Sequence, residues 1–148
     1  MASEPEDHPD VQVLDEIALI DNLVRAAVVK DLPGELTYPQ FEVLGLLARR
    51  GDGKTPGEIS RALQVTKSGF TNTLLRLENG GLVRVAPASN DGRKKQLWLT
   101  QAGRDAYRQS MVAMRPRIAG LRGGFTQQEF RDALPFLRAL RSWLAETP

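Results

Sequence analysis

Residues 55–99 contain two short helix patterns followed directly by a strand–turn–strand pattern, and this order restricts the possible folds more than any other feature of the chain. Thr55 and Thr66 stand where a helix needs a hydroxyl group to cap its first turn. The two predicted helices cover residues 56–63 and 67–79, with a tight connection between them. Because a helix-turn-helix followed by a hairpin is the order of a winged helix, we predict that architecture.

The predicted hairpin has a long, exposed tip. Its strands are expected at residues 82–86 and 96–99, with a loop at residues 87–95 between them. The run 90–92, Asn-Asp-Gly, is typical of a turn because these residue types tolerate a positive φ. Three consecutive cations follow this turn: Arg93, Lys94 and Lys95.

Longer helices are predicted before the helix-turn-helix. Residues 1–10 are polar and are expected to form a flexible tail. Apolar residues then recur at helical spacing over residues 11–30. Thr37 and Gln40 form a capping box, which predicts the start of a second helix that closes near Arg50.

Two more helices are predicted after the hairpin. One follows Thr100 and runs to about Arg122, and Pro116 inside it is a candidate site for a bend. A capping box at Thr126 and Glu129 begins the last helix. The sequence therefore predicts one mostly α domain over residues 11–148, with a small β-hairpin wing. Within it, residues 37–104 form the winged helix, and residues 11–36 and 105–148 form the flanking helices.

The totals exclude several classes of protein. A chain of 148 residues is the size of one domain. It has no cysteine and a single histidine, His8, so no zinc site and no Ser-His or Cys-His catalytic pair is predicted. No phosphate-binding glycine motif occurs either. We therefore expect no enzymatic activity, no cofactor and no metal ion.

Two further expectations concern location and charge. The sequence has neither the apolar run of a signal peptide nor that of a membrane span, which predicts a cytoplasmic protein. Residues 1–36 carry nine acidic and two basic side chains, whereas residues 49–95 carry ten basic and four acidic ones. This asymmetry predicts a positive face on the middle of the molecule.

The second helix of a helix-turn-helix lies in the major groove of DNA, and its first residues meet the base edges. The apolar stripe of residues 70, 74 and 77 directs small polar and cationic side chains to the other side of the predicted helix. An ordinary exposed polar face is the alternative interpretation. The predicted DNA contacts on this helix are Lys67, Ser68, Thr71, Asn72 and Arg76.

The cationic tip of the hairpin suits the adjacent minor groove. A guanidinium group fits a narrow minor groove, where negative potential is concentrated, so Arg93 is expected to enter it. Lys94 and Lys95 are expected to hold phosphates. Asp91 is expected to orient Arg93 or Arg76, although an aspartate that merely forms the turn is the alternative.

The same residues carry a family resemblance. The segment 89–103 resembles the signature of the MarR family of bacterial transcription regulators, with Asp91, Arg93, Leu99, Thr100 and Gly103 at the matching positions. Residues 55–83 are similar to the helix pair of that family. The resemblance is close over residues 37–104, and Gly69 departs from it by standing early in the recognition helix.

The resemblance implies a homodimeric winged-helix regulator, usually a repressor, on a pseudo-palindromic double-stranded operator. The first and last helices would form the dimer interface, with Leu134, Leu137, Leu140 and Trp143 as candidates. An intrachain core is the alternative for these four.

The resemblance further implies a small aromatic or anionic effector, which makes the regulator ligand-responsive. Candidates for its pocket are Tyr38, Phe41, Tyr107 and Met111, although packing in the core is the favoured interpretation of these residues. A winged helix that binds an acidic protein partner, without reading DNA, is the alternative function.

Overall fold

A computed structural model describes residues 4–88 and 91–147 of the chain, with Asp91 described by its backbone alone. A short 3-10 helix, Pro5–Asp7, precedes the α-helices. The helices are α1 (Pro9–Asp31), α2 (Tyr38–Arg50), α3 (Pro56–Leu63), α4 (Lys67–Asn79), α5 (Gln101–Ala113), α6 (Arg115–Gly124) and α7 (Gln127–Glu146), and the strands are β1 (Val83–Ala88) and β2 (Asp91–Leu99). The predicted fold class, mostly α with a two-stranded wing, is confirmed.

Threonine hydroxyl groups begin five of the helices. Each accepts a hydrogen bond from the backbone N–H three residues later, at 3.0–3.3 Å. These threonines are Thr37, Thr55, Thr66, Thr100 and Thr126. The bonds satisfy N–H groups that have no partner within the helix, which explains why the helix starts were predicted correctly.

One apolar cluster connects the middle helices with the wing. Its largest fully buried members come from α2, α3, α4 and β2. The cluster consists of Val43, Leu44, Leu47, Ile59, Phe70, Leu77, Val83, Leu97 and Leu99. The helix-turn-helix and the hairpin therefore share one core, and neither can change its orientation without disturbing the other.

The predicted nine-residue loop of the hairpin is wrong. β1 and β2 pair antiparallel from Val83–Leu99 to Pro87–Lys95, and the register then shifts to the pair Ala88–Asp91. Proline is tolerated here because β1 is an edge strand, where one side needs no ladder hydrogen bond. The turn predicted at residues 90–92 includes Asn90, which lies outside the described residues.

The single helix predicted from Thr100 to Arg122 is divided in two. α5 ends at Ala113, and α6 begins at Arg115. Pro116 has no N–H group, and it lies in the first turn of α6, where no intrahelical acceptor is available for one. The proline therefore starts a new helix rather than bending an existing one.

The terminal helices contribute nothing to the core. No residue of α1, α6 or α7, all of which belong to the described part of the chain, is buried. Large apolar side chains on them are instead exposed, among them Leu23 (72%) and Trp143 (61%). The intrachain-core interpretation is therefore wrong for Leu134, Leu137 and Trp143. No helix in the described ranges is long and apolar enough to cross a membrane.

Candidate nucleic-acid interface

A tight turn sets the angle between α3 and α4. Gln64 caps α3 in the left-handed conformation, with φ 52° and ψ 46°. The N–H of Val65 then donates to the carbonyl of Ser60 at 3.0 Å. This conformation reverses the chain so sharply that only three residues separate the end of α3 from the start of α4. The start of α4 is consequently fixed by the backbone of the turn.

α4 has one buried and one exposed face. Phe70 and Leu77 are buried in the core, and Leu74 is partly buried beside them. All five side chains of α4 that were predicted to contact DNA are exposed: Lys67, Ser68, Thr71, Asn72 and Arg76. Their exposure is the arrangement that the prediction requires, while the contacts themselves stay a prediction.

Hydroxyl groups at the start of α4 are partly engaged within the helix. Thr71 Oγ1 donates to the carbonyl of Lys67 at 2.8 Å, and the Oγ of Ser68 lies 3.4 Å from Thr66 Oγ1. The Thr71 hydroxyl can therefore accept from an external donor, but its proton is used by the helix. Of the predicted base-reading side chains, the amide of Asn72 keeps the greatest donor and acceptor capacity.

Gly69 is explained by the cap of α4. Its N–H donates to Thr66 Oγ1 at 3.1 Å, and a Cβ atom added to it would lie 3.1 Å from the same oxygen. That separation is tighter than an ordinary contact. Glycine at this position therefore leaves room for the capping threonine, which accounts for the departure noted in the sequence.

A segment before α3 extends the wing. The N–H of Gly53 donates to the carbonyl of Leu97 at 2.8 Å, and the N–H of Leu97 donates to the carbonyl of Lys54 at 2.8 Å. Gly53 has a positive φ of 82°, and the ring of Trp98 lies 3.2 Å from where its Cβ would be. The wing is thus attached at its base to the loop that leads into the helix-turn-helix.

Asp52, which was not among the predicted site residues, strengthens this attachment. Its Oδ1 accepts a hydrogen bond from the N–H of Leu99 at 2.9 Å, and its Oδ2 accepts one from the guanidinium of Arg104. The Asp52 side chain is only 16% exposed. These partners lie 47 and 52 residues away in sequence, so no local pattern reveals the contact.

The start of α5 is hydrogen-bonded to the segment that connects α4 with β1. Thr100 Oγ1 donates to the carbonyl of Gly81 at 2.6 Å, and its N–H donates to the carbonyl of Leu82 at 3.2 Å. Gly103 is buried against the same backbone. A Cβ atom on Gly103 would lie 2.0 Å from the Leu82 carbonyl oxygen, so only glycine fits without a shift of the backbone.

The outer part of the hairpin exposes its cations. Arg93, Lys94 and Lys95 are all exposed. Arg93 and Lys94 lie where the register of the strands shifts, and Lys95 pairs with Pro87. The predicted role of Asp91 depends on its side chain, which lies outside the described residues.

The four predicted pocket residues lie between α2 and α5 and are half-buried. The rings of Phe41 and Tyr107 stack with centroids 5.8 Å apart, and Tyr38 is 6.4 Å from Phe41. An open cleft of about 320 Å³ adjoins this cluster. Its lining residues are Ala48, Arg104, Tyr107, Arg108 and Met111.

The exposed edge of the aromatic cluster is charged. Arg25 of α1 lies over the ring of Tyr38, with its guanidinium carbon 5.3 Å from the centroid, and it pairs with Asp21 at 2.7 Å. Burial raises the pKa of Tyr38 and also that of the Glu42 carboxyl. Both ionised forms are therefore disfavoured beside the cluster.

An ion pair connects the terminal helices α1 and α6. Arg117 of α6 donates from Nε and Nη2 to the Asp31 carboxylate at the end of α1, at 2.7 and 3.1 Å. These hydrogen bonds lower the pKa of Asp31. The pair connects the first turn of α6 with the end of α1.

Comparison with known proteins relates this geometry to a family. Residues 35–94 match the family model described as the MarR family. The chain is 34% identical over 110 residues to the HTH-type transcriptional regulator TtmR of Methylorubrum extorquens, covering 74% of this chain and 55% of TtmR. It is 32% identical over 90 residues to the transcriptional activatory protein BadR of Rhodopseudomonas palustris, covering 60% of this chain and 50% of BadR.

A solved structure has the same fold. The structure of FabT from Streptococcus pneumoniae in complex with DNA superposes with a TM-score of 0.68 at 20% identity, covering 93% of this chain and 98% of that one. At this identity the likeness establishes the fold alone. The chain spans about half the length of the two curated relatives named above.

Proposed function

We propose that this protein is a sequence-specific DNA-binding transcriptional regulator that acts as a homodimer, because residues 35–94 match the MarR family model and the chain is similar to transcriptional regulators. The family resemblance predicted from the sequence is confirmed by the matching segment. One observation carries the proposal. A recognition helix with an exposed polar face and a hairpin with three exposed consecutive cations are held in one hydrogen-bonded frame.

In the proposed complex, α4 enters the major groove. Asn72 reads a base edge there, since its amide can pair with adenine through two hydrogen bonds. Lys67 and Arg76 contact the phosphates beside the groove. The wing lies over the adjacent minor groove, where Arg93 enters and the two lysines beside it bind the backbone. Lys94 and Lys95 then contribute affinity without sequence preference.

The terminal helices support the proposed homodimer. α1 and α7 expose large apolar side chains along most of their lengths, and α6 exposes Leu121; large exposed apolar patches mark interaction surfaces. A second copy of the same chain would cover these faces. Two recognition helices would then meet half-sites about one helical turn apart, roughly 34 Å, on a pseudo-palindromic operator.

We assign ligand response to the cleft between α2 and α5. Arg104 and Arg108 line it beside the aromatic ring of Tyr107 and the side chain of Met111. Guanidinium groups next to an aromatic surface suit a small aromatic acid. Such an effector acts only if it binds differently to two spacings of the recognition helices. Release of the operator on binding would make the protein a ligand-responsive repressor that acts by occluding a promoter.

The central test is selection of bound sequences from a library of random duplexes. The proposal expects a single enriched motif with two related halves, and an affinity that falls steeply as salt increases. A winged helix that serves only to bind protein would enrich no motif. Weak binding to every sequence alike would likewise overturn the proposal of sequence-specific regulation.

Arg93→Ala tests the wing. Loss of one groove contact should weaken operator binding by about 1–3 kcal/mol. The measurement is titration of a labelled operator at fixed salt. Arg138→Ala is the matched control, because it removes the same charge from an exposed position on α7. An affinity for Arg93→Ala as high as that of the control would remove the wing from the mechanism.

Asn72→Ala tests base reading by α4. The variant should relax the preference at one position of each half-site by about 1–3 kcal/mol, because the lost hydrogen bonds are specific to one base. Repeating the selection with the variant measures this. Lys67→Ala provides the comparison, since loss of a phosphate contact weakens binding to all sequences alike. Recovery of an unchanged motif with Asn72→Ala would contradict the assignment.

A further inference from the structure

The exposed face of α4 includes one large apolar side chain, Leu75. It follows Thr71 by four residues and Asn72 by three, so all three lie on one side of the helix. Leu75 is 52% exposed, whereas Leu77, two residues later, is fully buried. Within the described residues of the winged-helix part, 37–88 and 91–104, it is the most exposed large apolar side chain.

Thr71 adds a second apolar group to this face. Its hydroxyl donates to the carbonyl of Lys67, so the oxygen is directed to the backbone of the helix. The methyl group of this exposed side chain takes no part in the hydrogen bond. One turn of helix separates Thr71 from Leu75, which brings the methyl group and the leucine together as a small apolar patch.

This patch has a chemical counterpart in the major groove. Among the four base pairs, the apolar group displayed there is the C5-methyl group of thymine. We propose that Leu75, together with the methyl group of Thr71, contacts thymine methyl groups and makes the protein select thymine at one position of each half-site. This inference rests on the proposed function, because it places α4 in the major groove.

The test replaces thymine by uracil, which lacks the methyl group and pairs in the same way. The selected operator is synthesised with either base, and both duplexes are titrated with the wild-type protein and with Leu75→Ala. Each lost methyl contact is expected to weaken wild-type binding roughly fourfold, and two half-sites together on the order of tenfold. Leu75→Ala should lose most of this discrimination and keep only the share that the Thr71 methyl group contributes.

The comparison of the two proteins separates a direct contact from an effect of the methyl group on the DNA itself. If Leu75→Ala loses as much affinity on uracil as the wild type does, the methyl group acts without Leu75 and the inference is overturned. Equal wild-type affinity for both duplexes overturns it too. A protein that binds neither duplex would instead refute the proposed function.

Two further variants sharpen the result. Thr71→Ser keeps the hydroxyl group and removes the methyl group, so it should reduce the discrimination without abolishing it. Val65→Ala removes an exposed apolar side chain from the turn rather than from α4, and it should discriminate as the wild type does. Thermal unfolding of all variants checks that these exposed substitutions leave the fold intact. A loss of discrimination in Val65→Ala would contradict the assignment to Leu75.

Discussion

Gly103→Ala should destabilise the protein by about 3 kcal/mol, the upper end of the usual range for over-packing a closed site. The added Cβ would lie 2.0 Å from the Leu82 carbonyl oxygen and 3.2 Å from a methyl group of Leu99. The Leu82 backbone cannot easily retreat, because its N–H donates to Leu77 and its carbonyl accepts from Thr100. The midpoint of urea unfolding, measured at one protein concentration, reports the loss.

Gly57→Ala is the matched control for this prediction. Gly57 lies in the first turn of α3, where the nearest atom to an added Cβ would be Thr55 Oγ1 at 4.0 Å. Alanine there should be neutral or stabilising by up to about 1 kcal/mol, because glycine is the weaker helix former. If both substitutions lowered the midpoint equally, the steric explanation of Gly103 would be wrong. An unchanged midpoint for Gly103→Ala would show that α5 can move away from Leu82.

Helix starts were predictable because their chemistry is local. A threonine and the N–H group three residues later are sufficient to begin α2, α3, α4 and α5. The start and end of the recognition helix were therefore predicted to the residue. The same locality explains why the exposure of its polar side chains was correctly expected from the apolar stripe of Phe70, Leu74 and Leu77.

Contacts between distant segments were not predictable in this way. The strands of the wing continue through Pro87 and Ala88 because the partner strand supplies hydrogen bonds, which residue preferences alone do not reveal. The pairing of Gly53 and Lys54 with Leu97 and the hydrogen bonds of Asp52 join segments more than 40 residues apart. These contacts define the angle between the wing and the helix-turn-helix.

The candidate site also has a part that was predictable from sequence and a part that was not. Sequence indicated which side chains of α4 and of the wing are exposed, but not how their hydrogen-bonding groups are used. The Thr71 hydroxyl was expected to contact DNA, yet its proton is held by the backbone of Lys67. For the terminal helices the pattern indicated apolar faces without indicating what covers them. The side-chain geometry shows how the hydrogen-bonding groups of α4 are used. The exposure of the apolar faces in a single chain is the reason for proposing that a partner covers them.

The position of Thr100 connects stability with the proposed function. Its hydroxyl and N–H groups bind the chain just before β1, while β2 ends at the preceding residue. α5 therefore cannot shift relative to the winged helix without breaking these hydrogen bonds. An effector between α2 and α5 would act on α5, which these hydrogen bonds hold in place. The proposed ligand response and the packing of Gly103 therefore both depend on the contacts at the start of α5.

Leu137→Asp should convert the protein from dimer to monomer and reduce operator affinity on the order of 100-fold or more, because the gain from binding two linked half-sites is lost. Leu137 belongs to the apolar stripe of α7 and is 41% exposed in the single chain. In a dimer that covers this stripe, the aspartate would bury an unpaired charge, which costs several kcal/mol. Analytical ultracentrifugation measures the association, and titration of the operator measures the affinity.

Ser142→Asp is the control that makes this result specific to the apolar face. It adds the same charge to the same helix at an exposed position five residues later, on the polar side of the stripe. This variant should remain dimeric and bind the operator as the wild type does. Circular dichroism should show both variants equally helical, because neither side chain is buried in the single chain. A dimeric Leu137→Asp with full affinity would exclude the stripe of α7 from the interface and would leave α1 and α6 to provide the contact between two copies.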